Sequence, residues 1–187
     1  MKTMVKIGGK LAIICAIAAA VLGLMNAVTE PRIELIQQQR LEAALEKVSE
    51  GMIVGEAQET EEGSAVTTYY PLYEGSKDET PEGYIVRIIG NGYGGEMAVL
   101  TGYTKEGEVF AVQMMENSET PGLGKEAEKA EYMQKYIGTG TENPVPVRKD
   151  MLSQEQADAV TGATITFIGV AKALEQGSDF VEKLEGK

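Results

Sequence analysis

The sequence predicts an α+β protein: a single N-terminal transmembrane helix followed by one soluble domain in which an antiparallel sheet is packed by helices. Three observations predict it. An uncharged apolar run lies near the start, β-rich runs occupy the middle, and an amphipathic helical pattern closes the chain. At 187 residues, with 43% hydrophobic and 25% charged side chains, the chain suffices for one packed core and an appendage.

From Leu11 to Val28 the chain reads LAIICAIAAAVLGLMNAV, without a charge. As a helix it spans roughly 27 Å, close to the hydrocarbon thickness of a bilayer. A cleavable signal sequence is the competing reading, but its apolar region is shorter and ends at a small-x-small site. The run here ends in Asn-Ala-Val-Thr-Glu-Pro, which favours an uncleaved anchor. Lys2, Lys6 and Lys10 precede it and Glu30 and Glu34 follow it. The positive-inside rule then puts the N-terminus in the cytoplasm and the rest of the chain outside.

After Pro31, Leu41, Leu45 and Val48 recur at helical spacing and the pattern stops at Gly51. Residues 55–66 are polar and acidic and read as a loop. Strands are predicted at 67–73, 84–89, 97–104 and 108–115, the last two joined through Lys105-Glu106-Gly107 as a hairpin. Residues 124–138 read as an amphipathic helix with Ala130, Met133 and Ile137 on its buried face. Ser153 and Gln156 have the spacing of a capping box. The last helix shows Ile165, Ile168, Ala171 and Leu174 every three residues, predicting one face packed on the sheet. The expected organisation is an anchor at 1–29, a connecting helix at 30–54 and the domain at 55–187.

Composition excludes several functions. Without the three N-terminal lysines, 14 basic residues face 29 acidic ones, a net charge of −15. Phosphate backbones repel such a surface, so nucleic acid is a poor partner. One cysteine, Cys15, and no histidine rule out an internal disulfide, an iron–sulfur cluster and His-based nucleophilic catalysis. Redox chemistry on this chain requires an organic cofactor.

Asp158-Ala159-Val160-Thr161-Gly162-Ala163-Thr164 stands directly before the last helix. A helix N-terminus offers unpaired N–H groups and the positive end of a dipole, which favours a phosphate there. Gly162 and Ala163 leave the backbone approachable, and Thr164 presents a hydroxyl at that place. Alone, this pattern reads more readily as an ordinary threonine cap. A second segment, Glu119-Thr120-Pro121-Gly122-Leu123-Gly124, puts Pro-Gly at the centre of a type II turn and a bare glycine after it. A third, Gly90-Asn91-Gly92-Tyr93-Gly94-Gly95, reads as a tight turn into a strand; no βαβ unit follows, so it is no dinucleotide fingerprint.

These segments resemble the FMN-binding domain found in the G subunit of Rnf electron-transport complexes and the C subunit of sodium-translocating NADH:quinone reductases. The Thr161–Thr164 segment resembles the family's flavinylation motif, Glu119–Gly124 its ETPGLG signature, and Gly90–Gly95 its glycine-rich segment. The resemblance covers essentially the whole chain. It implies covalent FMN, joined by a flavin transferase through a phosphoester to Thr164. It further implies cofactor contacts from Thr161, Gly162, Ala163, Glu119, Thr120, Gly122, Leu123 and Gly124, with Thr120 and Leu123 against the isoalloxazine ring. The implied function is electron relay among the subunits of an ion-translocating, membrane-bound oxidoreductase. The short chain favours the Rnf complex over the quinone reductase, and an anchored scaffold without flavin is the alternative from another class. Thr161, Phe167 and Asn117-Ser118 depart from the family's usual residues.

Overall fold

The computed structural model describes residues 2–61, 63–77 and 80–186, with side chains from Lys6 onward. Lys2 of the N-terminal lysines, as a side chain, and Glu62 of the predicted acidic loop lie outside the described set. The chain divides into one unit ending at Leu41 and another beginning at Glu42.

Helix α1 (Lys2–Val48) contains the apolar run and carries Pro31 inside it. Proline has no N–H to give to the carbonyl four residues back, yet the helix passes through it. The stretches on either side of residue 30, which the sequence divides into anchor and connecting helix, are therefore one element. The side chains from Lys6 to Val28 are all exposed. Among the described residues, one helix is thus long and apolar enough to cross a membrane.

In the second unit the end of α1 buries Ala44 and Val48, and Lys47 donates from Nζ to Gln113 Oε1 at 2.7 Å. Left-handed backbone at Glu50 and Gly51 ends the helix. Six strands follow: β1 (Ile53–Val54), β2 (Gln58–Glu59), β3 (Val66–Tyr73), β4 (Gly83–Asn91), β5 (Glu96–Thr104) and β6 (Val109–Asn117). They form one antiparallel sheet in the order β1-β3-β4-β5-β6, with β2 also paired to β3. The predicted loop at 55–66 thus contains β2. Two polar residues, Gln58 and Glu59, are held there by the edge of β3 rather than by a hydrophobic pattern.

Two short helices, α2 (Ala130–Met133) and α3 (Gln154–Ala159), precede the long α4 (Thr164–Leu184), which lies on β4 and β5. The buried stripe of α4 is Phe167, Val170, Ala171, Leu174, Ser178 and Val181. Ala171 and Leu174 match the expected face, whereas Ile165 is 54% exposed and Ile168 half-buried. The stripe recurs about every 3.5 residues, and a spacing of exactly three drifts off it within two turns. Gly177 lets the helix sit close: a Cβ there would fall 2.2 Å from Tyr103 Oη. Tyr103 Oη donates to the Leu174 carbonyl at 2.8 Å, and Tyr136 Oη donates to the Phe167 carbonyl at 3.2 Å.

The amphipathic helix predicted over 124–138 is broken. A 3-10 turn covers Gly124–Glu128, α2 has only four residues, and a second 3-10 turn covers Gln134–Tyr136. Of the expected face only Met133 is buried; Ala130 and Ile137 are exposed. The residues that go inside are Ala127, Tyr132, Met133, Lys135 and Tyr136, a spacing close to three that fits the tighter helix. Helix α3 carries the predicted capping box, with Ser153 and Gln156 bonded reciprocally.

Candidate functional site

The three glycine-bearing segments converge on one cleft of about 440 Å³, within the range of small-molecule sites. Its walls are Tyr93 from the β4–β5 turn, Glu119, Thr120, Leu123 and Gly124 from the loop after β6, and Gly162 to Thr166 at the start of α4.

The loop after β6 is braced by Asn117. Its Oδ1 accepts the Glu119 N–H at 2.8 Å and its Nδ2 donates to the Gly124 carbonyl at 3.3 Å. Inside this brace the Leu123 N–H donates to the Thr120 carbonyl at 3.2 Å, closing a turn with Pro121 and Gly122 at its centre. Gly122 has φ of 77°, the left-handed backbone that the third position of a type II turn requires. The predicted turn forms, and it presents Thr120 and Leu123 to the cleft.

On the facing wall the chain leaves α3 through Val160 and enters α4 at Thr164. The Thr161 N–H bonds the Asp158 carbonyl and the Ala163 N–H bonds the Val160 carbonyl. Gly162 sits at φ of 87°, and a Cβ there would press on Leu123 at 3.1 Å, so the two walls meet where only glycine fits. Ala163, not Thr164, is the N-cap, and no side chain caps the helix. The Thr164 hydroxyl is half-buried in the cleft wall and makes no hydrogen bond among the described residues. The first N–H groups of α4 have no partner within the helix. A hydroxyl and a set of backbone donors therefore share one position, as an esterified phosphate needs.

Seven of the nine predicted contact residues line the cleft: Glu119, Thr120, Leu123, Gly124, Gly162, Ala163 and Thr164. Gly122 shapes the turn from outside the wall. Thr161 also stands outside it, its hydroxyl donating to the Ala157 carbonyl at 3.0 Å and accepting from Lys149 Nζ at 3.4 Å. Tyr93, Ile165 and Thr166 line the cleft in addition to the predicted contacts. The glycine-rich turn carries a signal for Tyr93, whereas the spacing of Ile165 points to the core.

Residues 92–179 match the profile of the FMN-binding domain, and residues 1–48 match that of the RnfG N-terminal region. Residues 92–179 are an FMN-binding domain, and an RnfG N-terminal region precedes them. The family profile begins at Gly92 and ends in α4, so it takes in residues from all three segments that meet in the cleft. Relatives align over nearly the whole length. The G subunit of the ion-translocating oxidoreductase complex of Methanosarcina acetivorans is 28% identical over 99% of this chain and 98% of its own. The G subunit of the Na(+)-translocating ferredoxin:NAD(+) oxidoreductase complex of Acetobacterium woodii is 27% identical over 98% and 94%. The G subunit of the proton-translocating ferredoxin:NAD(+) oxidoreductase complex of Clostridium ljungdahlii is 25% identical over 94% and 90%. The cleft, with a threonine at a helix start and apolar side chains at its rim, is of a kind that suits a phosphate-bearing flavin such as FMN.

Proposed function

We propose that this chain is the G subunit of an ion-translocating ferredoxin:NAD oxidoreductase of the Rnf type, carrying FMN as a phosphoester on Thr164. The observation that carries the reading is the Thr164 hydroxyl, unbonded in the cleft wall at the first turn of a 21-residue helix. When bound, FMN supplies one- and two-electron exchange. The chain's own residues do the rest. The N–H groups at the start of α4 would hold the phosphate, and the helix end would stabilise the single charge left on the diester. Thr164 is β-branched, which limits its χ1 states and stiffens the tether. Leu123, Tyr93 and Ile165 would offer apolar surface to the ring, and Thr120 a hydroxyl.

In this reading residues 1–29 anchor the chain, 30–54 connect, and 55–187 hold the flavin outside the cytoplasm, loaded there by a flavin transferase. The partners are the other membrane subunits of the complex. The names of the full-length relatives, each a G subunit of an ion-translocating complex, support the Rnf type over the quinone reductase.

Thr164→Val, expressed with the transferase, is expected to fold yet lose the fluorescent flavin band that survives denaturing electrophoresis. Persistence of the band in that variant would overturn the attachment. A reporter enzyme fused after Lys187 is expected to be active only on the extracytoplasmic side; cytoplasmic activity would reverse the topology.

A further inference from the structure

Glu119 is an acid in an unusual place. It is only 4% exposed, it forms part of the cleft wall, and it makes no ion pair among the described residues. Its Oε1 accepts one hydrogen bond, from the Gly94 N–H at 2.9 Å. Its Oε2 lies where the loop and α4 come together: a Cβ added to Gly124 would be 2.5 Å from it and 2.6 Å from Thr166 Oγ1. A carboxylate has about four lone-pair positions, so most of its acceptor capacity is unspent. Burial makes such an unspent acceptor costly unless something else meets it.

Nothing about the fold alone asks for a carboxylate here. A glutamine would keep the Gly94 bond and the same shape. What a carboxylate adds is a negative charge in a position screened from water, where its field acts strongly on whatever occupies the cleft. Reduction adds an N–H at N5 and can add one at N1, but the N–H at N3 is present in the oxidised and the reduced isoalloxazine ring alike. A bond from that group satisfies the acceptor without favouring either form. The charge remains as the net effect, and it opposes the addition of electrons to the ring.

We propose that the Glu119 carboxylate accepts the N3–H of the flavin ring and holds the flavin's reduction potential down. Its role is to tune the cofactor, and Asn117 and Gly94 fix it in place for that role. The inference rests on the reading that FMN occupies this cleft, and the two fail differently.

The test is a spectroscopic redox titration of the full-length protein expressed with its flavin transferase, as wild type, Glu119→Gln and Glu119→Asp, with flavin loading checked by intact mass. Glu119→Gln is expected to load FMN and to titrate at a higher potential, while Glu119→Asp, which keeps the charge, stays nearer to wild type. A loaded Glu119→Gln protein whose potential is unchanged or lower overturns the proposal, as does an equal rise in Glu119→Asp. Absence of flavin from the wild type would instead remove the underlying reading. Should Glu119→Gln fail to fold, unmodified protein labelled with carbon-13 glutamate decides. Its reduced-minus-oxidised infrared spectrum is expected to contain a glutamate carboxylate band that shifts with the label, and a spectrum without one overturns the proposal.

Discussion

The apolar run of α1 and the helix α4 are similar in length and opposite in how their apolar side chains are disposed. In α4 most of them form one stripe, from Phe167 to Val181, buried against the sheet and the segment that carries Tyr132 and Tyr136. Between Leu11 and Val28 they point in every direction, and Ile13, Ile17 and Leu22 are each more than half exposed. A helix apolar on one side finds its solvent in the protein; one apolar all round needs a medium of its own, which a bilayer supplies. The same contrast sets the start of α4 apart, because its first turn is part of the cleft wall. Only a helix held on a sheet can present its first turn at a fixed place.

The sharpest way to break this contrast is to damage each helix separately. Phe167→Ala removes a fully buried ring stacked on Tyr136 and should cost the domain about 3–5 kcal/mol, read by denaturant titration in detergent, with membrane insertion unaffected. Ala20→Arg puts a charge near the middle of the apolar run and should cost insertion about 2.5–3.5 kcal/mol. Its measure is the fraction of protein resisting alkaline extraction from membranes, and the domain's denaturation midpoint should not move. A change in both properties from either substitution would mean that the two helices do not work independently.

The smallest effect concerns an ammonium group that the domain buries. Lys135 Nζ lies over the Tyr132 ring, and desolvation lowers its pKa from 10.5 to about 8. Below pH 8 it is charged in the folded and unfolded chain alike. Above that, the unfolded chain still holds a proton that the folded one has released, so this group's contribution to stability rises with pH up to 10.5. Tyr132, pushed up to about 12 by burial, works the other way above its ordinary value of 10.0. Stability attributable to Lys135 should therefore climb between about pH 8 and about pH 10. Urea midpoints of wild type and Lys135→Met across that window test it; parallel curves would show that Lys135 is not the source.

Strands β3 to β6 and the two long helical patterns are legible because their signals are local: β-rich composition in those strands, turn residues at Lys105-Glu106-Gly107, and an uncharged run of sufficient length. The segment 124–138 reads as one helix because its polar exterior fits either helix type. What selects the 3-10 turns is a tertiary demand, burial of Tyr132 and Tyr136 next to Phe167. The site is legible in its motifs and in seven of its ten wall residues. Gly162 and Gly122 announce their backbone conformations, whereas Tyr93 and Ile165 become wall residues only when a hairpin and a helix start are brought together from distant parts of the chain. The brace by Asn117 has no sequence signal at all, since an asparagine before a turn is commonplace.

The two tyrosine hydroxyls that grip carbonyls of α4, from Tyr103 and Tyr136, have one last implication. Sliding the helix along its axis would break both grips at once, so it cannot behave as a piston. A group attached at Thr164 would ride on a fixed mount, free to pivot only about its own short linkage. On the proposed reading, movement of the flavin relative to the sheet would come from that linkage and not from the helix.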